Sequence, residues 1–426
     1  MNKARLTVID ILLFLLIMFQ VNFFDLISLP SIWSSLNSNV NKYAILIVSL
    51  VIWLLSLIPS KQDKSLKQFY DSQFSISTVF FCVILFVVWL GTSLTYGQTV
   101  LITFQNMYWY FVFPFLYFGL RRYLMEDINF IKFDKIIVLS GVIVSVLYLL
   151  YSKHIITLHP NAVIDIQNLA MGKEQYGFSR FQAPSDFIFF VSFYMSSTAL
   201  MKIKRFEVKY IFQQMILIAN LFFVGQVRVY FAISLLLFVF VLFMKGVSQF
   251  KKVKMVFVVL GIVAGAALIL LIIKKLNFFG GGTRQASSIV RSEEISYYLS
   301  HAYDNKFFGI GFPDINNYYY LIRGFSPTYQ ASVFYLEDVG IFGFIAIFGV
   351  LGIVYLVLFL NDLFKTVKYN ENRIIMLVIL LSYLATYFTL IPLNASRIML
   401  IPFYLIIVTV LSRSKNSEKN FIGAKL

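Results

Sequence analysis

Four arginines and a pair of adjacent carboxylates stand where charge is unusual in this chain. Arg180, Arg228 and Arg397 each sit at the end of an apolar run, and Arg291 lies in a long polar segment. A guanidinium stays charged at physiological pH and matches two phosphate oxygens at once, so converging arginines are chemistry for an anionic ligand. An arginine beside an apolar run also has a plainer role, with its head snorkelling to a membrane interface. Glu337 and Asp338 are consecutive near the head of another run, where a carboxylate is neither freely solvated nor fully buried. Such a group serves as a general base or neutralises a neighbouring arginine, and both readings stand. Glu293 and His301 are further bases, and Tyr329 carries a phenol that either holds an oxygen ligand or anchors an interface.

The elements that must position these groups are apolar spans. Hydrophobic residues make up 59% of the chain and charged residues 13%, with a mean hydropathy of +0.80, far outside the range of soluble domains. Stretches long enough to cross about 30 Å of hydrocarbon recur along the whole sequence, about twelve in all. They run Leu6 to Phe24, Tyr43 to Ile58, Ile76 to Thr95, Thr99 to Leu120, Ile136 to Tyr151 and Pro184 to Met201. They continue with Tyr210 to Val224, Val229 to Met244, Met255 to Ile273, Tyr329 to Leu360, Ile374 to Ile391 and Arg397 to Leu411. Backbone in lipid must satisfy its own hydrogen bonds, so the expected fold is an all-α polytopic membrane helix bundle. It forms a single integral membrane domain over residues 1–426, and Leu6 to Phe24, with no small-residue cleavage site after it, reads as a retained span.

Basic residues set the orientation. Clusters at Lys61/Lys64/Lys67, Arg121/Arg122/Lys132/Lys135, Lys202/Lys204/Arg205/Lys209, Lys245/Lys251/Lys252/Lys254 and Lys365/Lys368/Arg373 fall in alternate turns. With the tail Arg413/Lys415/Lys419/Lys425 they place both termini in the cytoplasm by the positive-inside rule. The isoelectric point near 9.6 is thus a topological signal and no mark of nucleic-acid binding. Cys82 is the only cysteine and there are three histidines, so neither a disulfide, a cysteine metal cluster nor a histidine-rich metal site is expected, and no cofactor is implied.

Two outer segments are long, 152–183 and 274–328, and loops of that length usually carry function. The first holds His154 and His159; the second opens on Gly280-Gly-Gly-Thr-Arg284. Ile295, Tyr298, Leu299 and Ala302 recur at helical spacing, a stripe suited to a short helix on the membrane surface. Tyr318-Tyr-Tyr320 and Phe325 supply aromatic faces for sugar rings or for an interface belt.

Within this frame Arg180-Phe-Gln-Ala-Pro184, Gly225-Gln-Val-Arg228, Phe308-Gly-Ile-Gly-Phe312 and Gly340-Ile-Phe-Gly343 each mark the passage between an outer loop and a span. Together they resemble the O-antigen polymerase and ligase family over roughly Phe178 to Gly352. The family's glycine-serine-arginine element lacks its serine here, and Tyr329-Gln330 stands where many members carry a His-Asn pair. That departure favours polymerase over ligase and leaves the base unassigned among Glu337, Asp338, Glu293 and His301.

The resemblance implies a glycosyltransferase that joins polyprenyl-diphosphate-linked repeat units of a surface polysaccharide outside the cytoplasmic membrane. Undecaprenyl-diphosphate oligosaccharide would be the substrate and a chain-length regulator a partner. Arg228, Arg291, Glu337 and Asp338 would form the catalytic set, with Arg180, Arg397, Tyr329 and His301 binding substrate. A lipid-linked oligosaccharide flippase also has a dozen spans, but long outer loops are untypical of transporters. A surface-sugar acyltransferase would want an early histidine, and a metal-dependent glycosyltransferase would want paired acids where Asp25 stands alone.

Overall fold

Lipid offers the backbone no hydrogen-bond partner, and the chain answers with helices almost throughout. The computed structural model describes residues 3–21, 23, 38–58, 73–156, 174–175, 177–181, 184–201, 207–247, 283–304, 307–329, 332–368, 370–388 and 394–412. In chain order the helices are α1 (Lys3–Gln20), α2 (Ser38–Leu57), α3 (Ser75–Tyr96), α4 (Val100–Met107), α5 (Val112–Leu124) and α6 (Asp127–Ser152). After a short hairpin of β1 (Glu174–Gln175) and β2 (Phe178–Ser179) come α7 (Ser185–Leu200), α8 (Val208–Asn220) and α9 (Arg228–Val247). The long segment that follows supplies α10 (Thr283–Asp304) and α11 (Tyr319–Ile322), before α12 (Gly340–Lys368), α13 (Arg373–Ala385) and α14 (Leu400–Ser412).

Among the described residues five helices are long and apolar enough to cross a membrane: Ser75–Tyr96, Asp127–Ser152, Val208–Gly225, Arg228–Lys245 and Leu336–Lys368. On α3 the face Ile76, Val79, Val83, Phe86, Leu90 and Leu94 is exposed while Phe81, Ile84, Leu85 and Val88 are buried. An apolar face turned outward is costly in water and at home in hydrocarbon, which marks a membrane protein.

The twelve expected spans meet several corrections. Leu6–Gln20, Lys42–Leu57, Arg373–Phe388 and Leu400–Ser412 are shorter apolar helices. The run Thr99 to Leu120 is broken by a 3-10 turn at Tyr108–Phe111. The run Pro184 to Met201 holds α7, only 16 residues long and buried on every face, so protein rather than lipid surrounds it. Met255 to Ile273 lies outside the described residues. The run from Tyr329 begins too early: Tyr329 belongs to the loop, a 3-10 turn spans Leu336–Val339, and helix starts at Gly340.

Polar side chains fix α7 to its neighbours. Gln214 of α8 donates to the Ser192 carbonyl at 2.9 Å and to Ser196 Oγ at 2.8 Å, and Ser192 Oγ donates back to Gln214 at 2.9 Å. With no water to compete, such bonds replace the hydrophobic drive that soluble helices rely on. On the α6 side Gly141 faces Val191, and a Cβ there would come within 2.8 Å of its methyls.

The loop signature turns out to repair a broken helix. Gly349 takes φ 57°, ψ −141° and interrupts α12, which releases the carbonyls of Ala346 and Ile347 from their intrahelical partners. Ile310 N–H donates to Ala346 O at 2.7 Å and Gly311 N–H to Ile347 O at 3.0 Å. Gly309 sits at φ +66°, and a Cβ there would lie 2.3 Å from Ala346 O, so only glycine lets the strap come this close. On its other side Tyr96 donates to Ile310 O at 2.9 Å, Gln98 to Phe312 O at 3.0 Å, and Phe312 N–H to Thr92 at 3.2 Å. The strap Phe308–Phe312 therefore clamps the end of α3 to the middle of α12.

The loop helix α10 is docked on protein. Tyr298 and Ala302 are buried with Ile310, Phe334, Val339 and Ala346, so the stripe expected to lie on the membrane packs against the strap and the head of α12.

Candidate functional site

Arg180 is held from both sides. Ser152 Oγ donates to the Ser179 carbonyl at 2.5 Å, and Phe181 N–H donates to Val224 O at 3.1 Å. The Phe181 ring stacks on Tyr151 at 4.8 Å, and Phe178 stacks on Phe223 at 4.8 Å. Val224 belongs to a π turn, Leu221–Gly225, where a Cβ on Gly225 would meet Ser185 Oγ at 2.4 Å. Gln226 follows at φ +51°, after which Arg228 opens α9. The Arg180 turn and the Arg228 turn are thus one packed unit at the start of α7. Arg180 is half-buried, and its Nε has no hydrogen-bond partner among the described residues. Burial lowers the guanidinium from its ordinary value, and the Asp338 carboxylate opposes that shift.

One turn into α7 a buried ion pair closes the same end of the bundle. Arg397 Nε donates to Asp186 Oδ1 at 2.9 Å, with side-chain exposures of 19% and 10%. Tyr230 of α9 donates to the same oxygen. Tyr383, Tyr387 and Tyr404 join these three around a small cavity. Asn394 Oδ1 accepts the Ser396 and Arg397 N–H groups, each at 3.0 Å, and so shapes the turn that aims Arg397 inward.

The acidic pair sits above this cavity. Asp338 N–H donates to Tyr335 O at 2.9 Å in the 3-10 turn, and both Glu337 and Asp338 are exposed. Gly340 follows at φ +57°, so close to the Tyr387 and Phe388 carbonyls that a Cβ would lie 2.4 Å from the first. The turn therefore rests on the same segment that lines the Arg397 cavity.

The loop helix contributes two glutamates with opposite environments. Glu293 accepts from the hydroxyls of Ser326 and Thr328, and those bonds hold its carboxyl below the ordinary range. Glu294 is 2% exposed. Its Oε1 accepts Tyr335 N–H at 3.0 Å, while Oε2 is buried without a partner among the described residues. Burial pushes it up to about 7, with Tyr335 N–H and Arg291 opposing and Asp338 adding to the rise. Between them the glutamates fasten the hairpin 325–335, which Phe325 and Val333 bridge, over α10.

Of the residues expected from sequence, Arg180, Arg228, Arg397 and Asp338 fall on the same end of the bundle, and Arg291 stands one helical turn from Glu294. Arg291 is exposed. His301 Nδ1 donates to Tyr297 O at 2.9 Å and its ring packs on Tyr297, which makes it part of the helix surface. Tyr329 is exposed in the hairpin turn, its N–H bonded to Ser326 Oγ at 2.8 Å. His154 takes φ +60° and meets Ser179 at 3.2 Å, whereas His159 lies outside the described residues. Among the described residues no group of acids, cysteines and histidines is arranged to hold a metal.

Sequence reasoning missed Asp186, Tyr230 and Glu294 as site residues. Asp186 carried a readable signal, because an acid inside an apolar run needs a partner. Glu294 carried one too, since it precedes Tyr298 by one helical turn and so shares the face that the stripe buries. No family model matches the chain, and no curated protein matches it by sequence.

Proposed function

We propose that this protein is a polysaccharide polymerase, a glycosyltransferase that joins polyprenyl-diphosphate-linked oligosaccharide repeat units on the outer side of the cytoplasmic membrane. The observation that carries this reading is the unpartnered, buried Nε of Arg180 opposite Asp338, at the end of the bundle where the Arg228 turn and Arg397 also lie. A buried cationic donor with no acceptor among the described residues suits a diphosphate, both as handle and as leaving group. Both termini are cytoplasmic in this reading, which puts the arginine end outside, with the two long loops over it. A chain-length regulator is the expected protein partner.

Arg397 plays a different part from the one its sequence position implies. Its Nε donates to Asp186 and the guanidinium also bonds Tyr230, so this cluster fixes the start of α7 against the head of α14. Arg180 and Arg228 are the principal ligands for the diphosphate.

The test is the surface polysaccharide profile of a strain lacking this protein beside its parent. A ladder that collapses to one repeat unit supports polymerisation. Loss of all glycan points to a flippase or ligase, and an unchanged ladder overturns the reading.

A further inference from the structure

A transferase of this kind needs a base for the acceptor hydroxyl, and resting on the reading above, we infer that Glu294 is that base. The assignment stands on a juxtaposition: among the described residues Glu294 Oε2 is a buried acceptor with no donor, Arg180 Nε is a buried donor with no acceptor, and the Asp338 carboxylate acts electrostatically on both. Leaving either group unsatisfied costs folding free energy, about 1–3 kcal/mol or more for a charged group. Two such groups converging on one carboxylate mark a site that is completed by a ligand carrying an anion and a hydroxyl.

The other acids are poorly suited. Glu293 is saturated by two hydroxyls and held in the ionised, weakly basic state. Glu337 and Asp338 are exposed to solvent, unlike the buried Glu294. Glu294 titrates near neutrality because it is buried, and the charged and titratable groups around it come from every neighbouring element. Arg291 and Tyr298 lie on its own helix, Arg323 at the end of α11, Tyr335 in the hairpin, and Asp338 in the turn before α12.

The step balances without a metal. Glu294 takes the proton of the acceptor sugar hydroxyl as that oxygen bonds to the anomeric carbon of the donor. The bond from that carbon to the diphosphate breaks, its electron pair stays on the diphosphate oxygen, and Arg180 and Arg228 offset the new charge. Glu294 then returns its proton to water. Glu294 is 2% exposed, so the acceptor reaches Oε2 when the bonds from Ser326 and Thr328 to Glu293 release.

The experiment uses purified full-length protein in lipid nanodiscs, with lipid-linked repeat units accumulated by the deletion strain as substrate. Glu294→Gln keeps the shape and removes the base. It is expected to lower kcat by about 100-fold or more, the range a positioned base supplies, with KM within about 3-fold. Affinity for undecaprenyl diphosphate alone is expected to be unchanged. Wild-type kcat is expected to rise with pH through about 7, a limb the variant lacks. Activity of Glu294→Gln within about 3-fold of wild type, or the same limb in both proteins, overturns the assignment while leaving the polymerase reading intact. If Glu294→Gln fails to accumulate, the wild-type pH profile decides, and a flat profile overturns the assignment. Wild-type protein that makes no polymer overturns both.

Discussion

Arg397 Nε and Asp186 Oδ1 meet at 2.9 Å across 211 positions of sequence, and Tyr230 shares the carboxylate. Removing one member of such a pair strands a charge in the interior, at a cost of about 3–5 kcal/mol. Arg397→Ala is therefore expected to lower both the melting temperature and the amount of protein in the membrane. Combining Asp186→Asn with Arg397→Gln, which removes both charges, is expected to recover much of that loss. Thermal unfolding in detergent checks it, and a stable Arg397→Ala variant would show that the ion pair is structurally neutral.

The turn that holds Arg228 gives a contrasting case. Gly225 and Gln226 fix the backbone, and the guanidinium follows at the start of α9. Arg228→Ala is expected to abolish polymer with no fall in protein level. Arg180→Lys, which keeps charge but loses the planar fork, is expected to weaken undecaprenyl diphosphate binding by about tenfold, the effect of losing one charged hydrogen bond. Polysaccharide gels and a binding titration read these outcomes. Full-length polymer from Arg228→Ala would remove it from the site.

Adjacent glutamates with opposite shifts make opposite contributions to stability against pH. Glu294 is raised, so the folded state holds its proton longer than the unfolded state, and stability from this group falls as pH rises from about 4.5 to about 7. Glu293 is lowered, so its contribution is present above the ordinary carboxylate range and fades as pH falls below it. Glu294→Gln is expected to raise the melting temperature at pH 8 relative to wild type by a few degrees and to leave it nearly unchanged at pH 4.5. Glu293→Gln is expected to lower it at pH 8. Melting curves across pH distinguish the two, and a shift of the same sign in both would refute the opposed environments.

The strap predicts a backbone-specific lesion. Gly309→Ala places a methyl within contact of three main-chain atoms, Ala346 O, Gly349 N and Ile347 O, at a positive φ. None of these can rotate away, so the strap must lift, leaving the two α12 carbonyls unpaired at about 1–3 kcal/mol each. Limited proteolysis after residue 312 is expected to accelerate in this variant. Gly97→Ala serves as control, because its Cβ meets nothing within 4 Å although φ is +62°. Equal protease sensitivity of Gly309→Ala and wild type would refute the clamp.

Much of this was legible in the sequence, and the illegible parts have definite causes. Hydropathy located most of the described helices but missed the true starts of α6 at Asp127 and α12 at Gly340 by about a helical turn or more, and the glycines of Phe308-Gly-Ile-Gly-Phe312 marked a close approach. What they approached was hidden, since nothing in an apolar run announces the break at Gly349. The length of the run from Tyr329 misled for a related reason: aromatic and aliphatic residues of the hairpin pack on α10 and imitate membrane composition. The arginines stood out because basic residues are disfavoured at the span ends that the charge pattern reads as outer. Their partners did not, because Asp186 and Glu294 become a site only when elements distant in sequence fold together.

The strap joins the loop that carries α10 to the helix bundle through its main-chain atoms, and main-chain atoms are blind to side-chain identity. Between that joint and the turn at Gly340 the described residues are also held to α10, by Tyr297, Tyr298, Glu293 and Glu294. The surface residues Tyr319, Tyr320 and Tyr329 can therefore be exchanged without redesigning the helices beneath. Such an arrangement is modular in the engineering sense: a fixed socket carries a replaceable face. Exchanging these exposed tyrosines alone is the direct route to altering that face while keeping both joints and the bonds to Glu293 and Glu294.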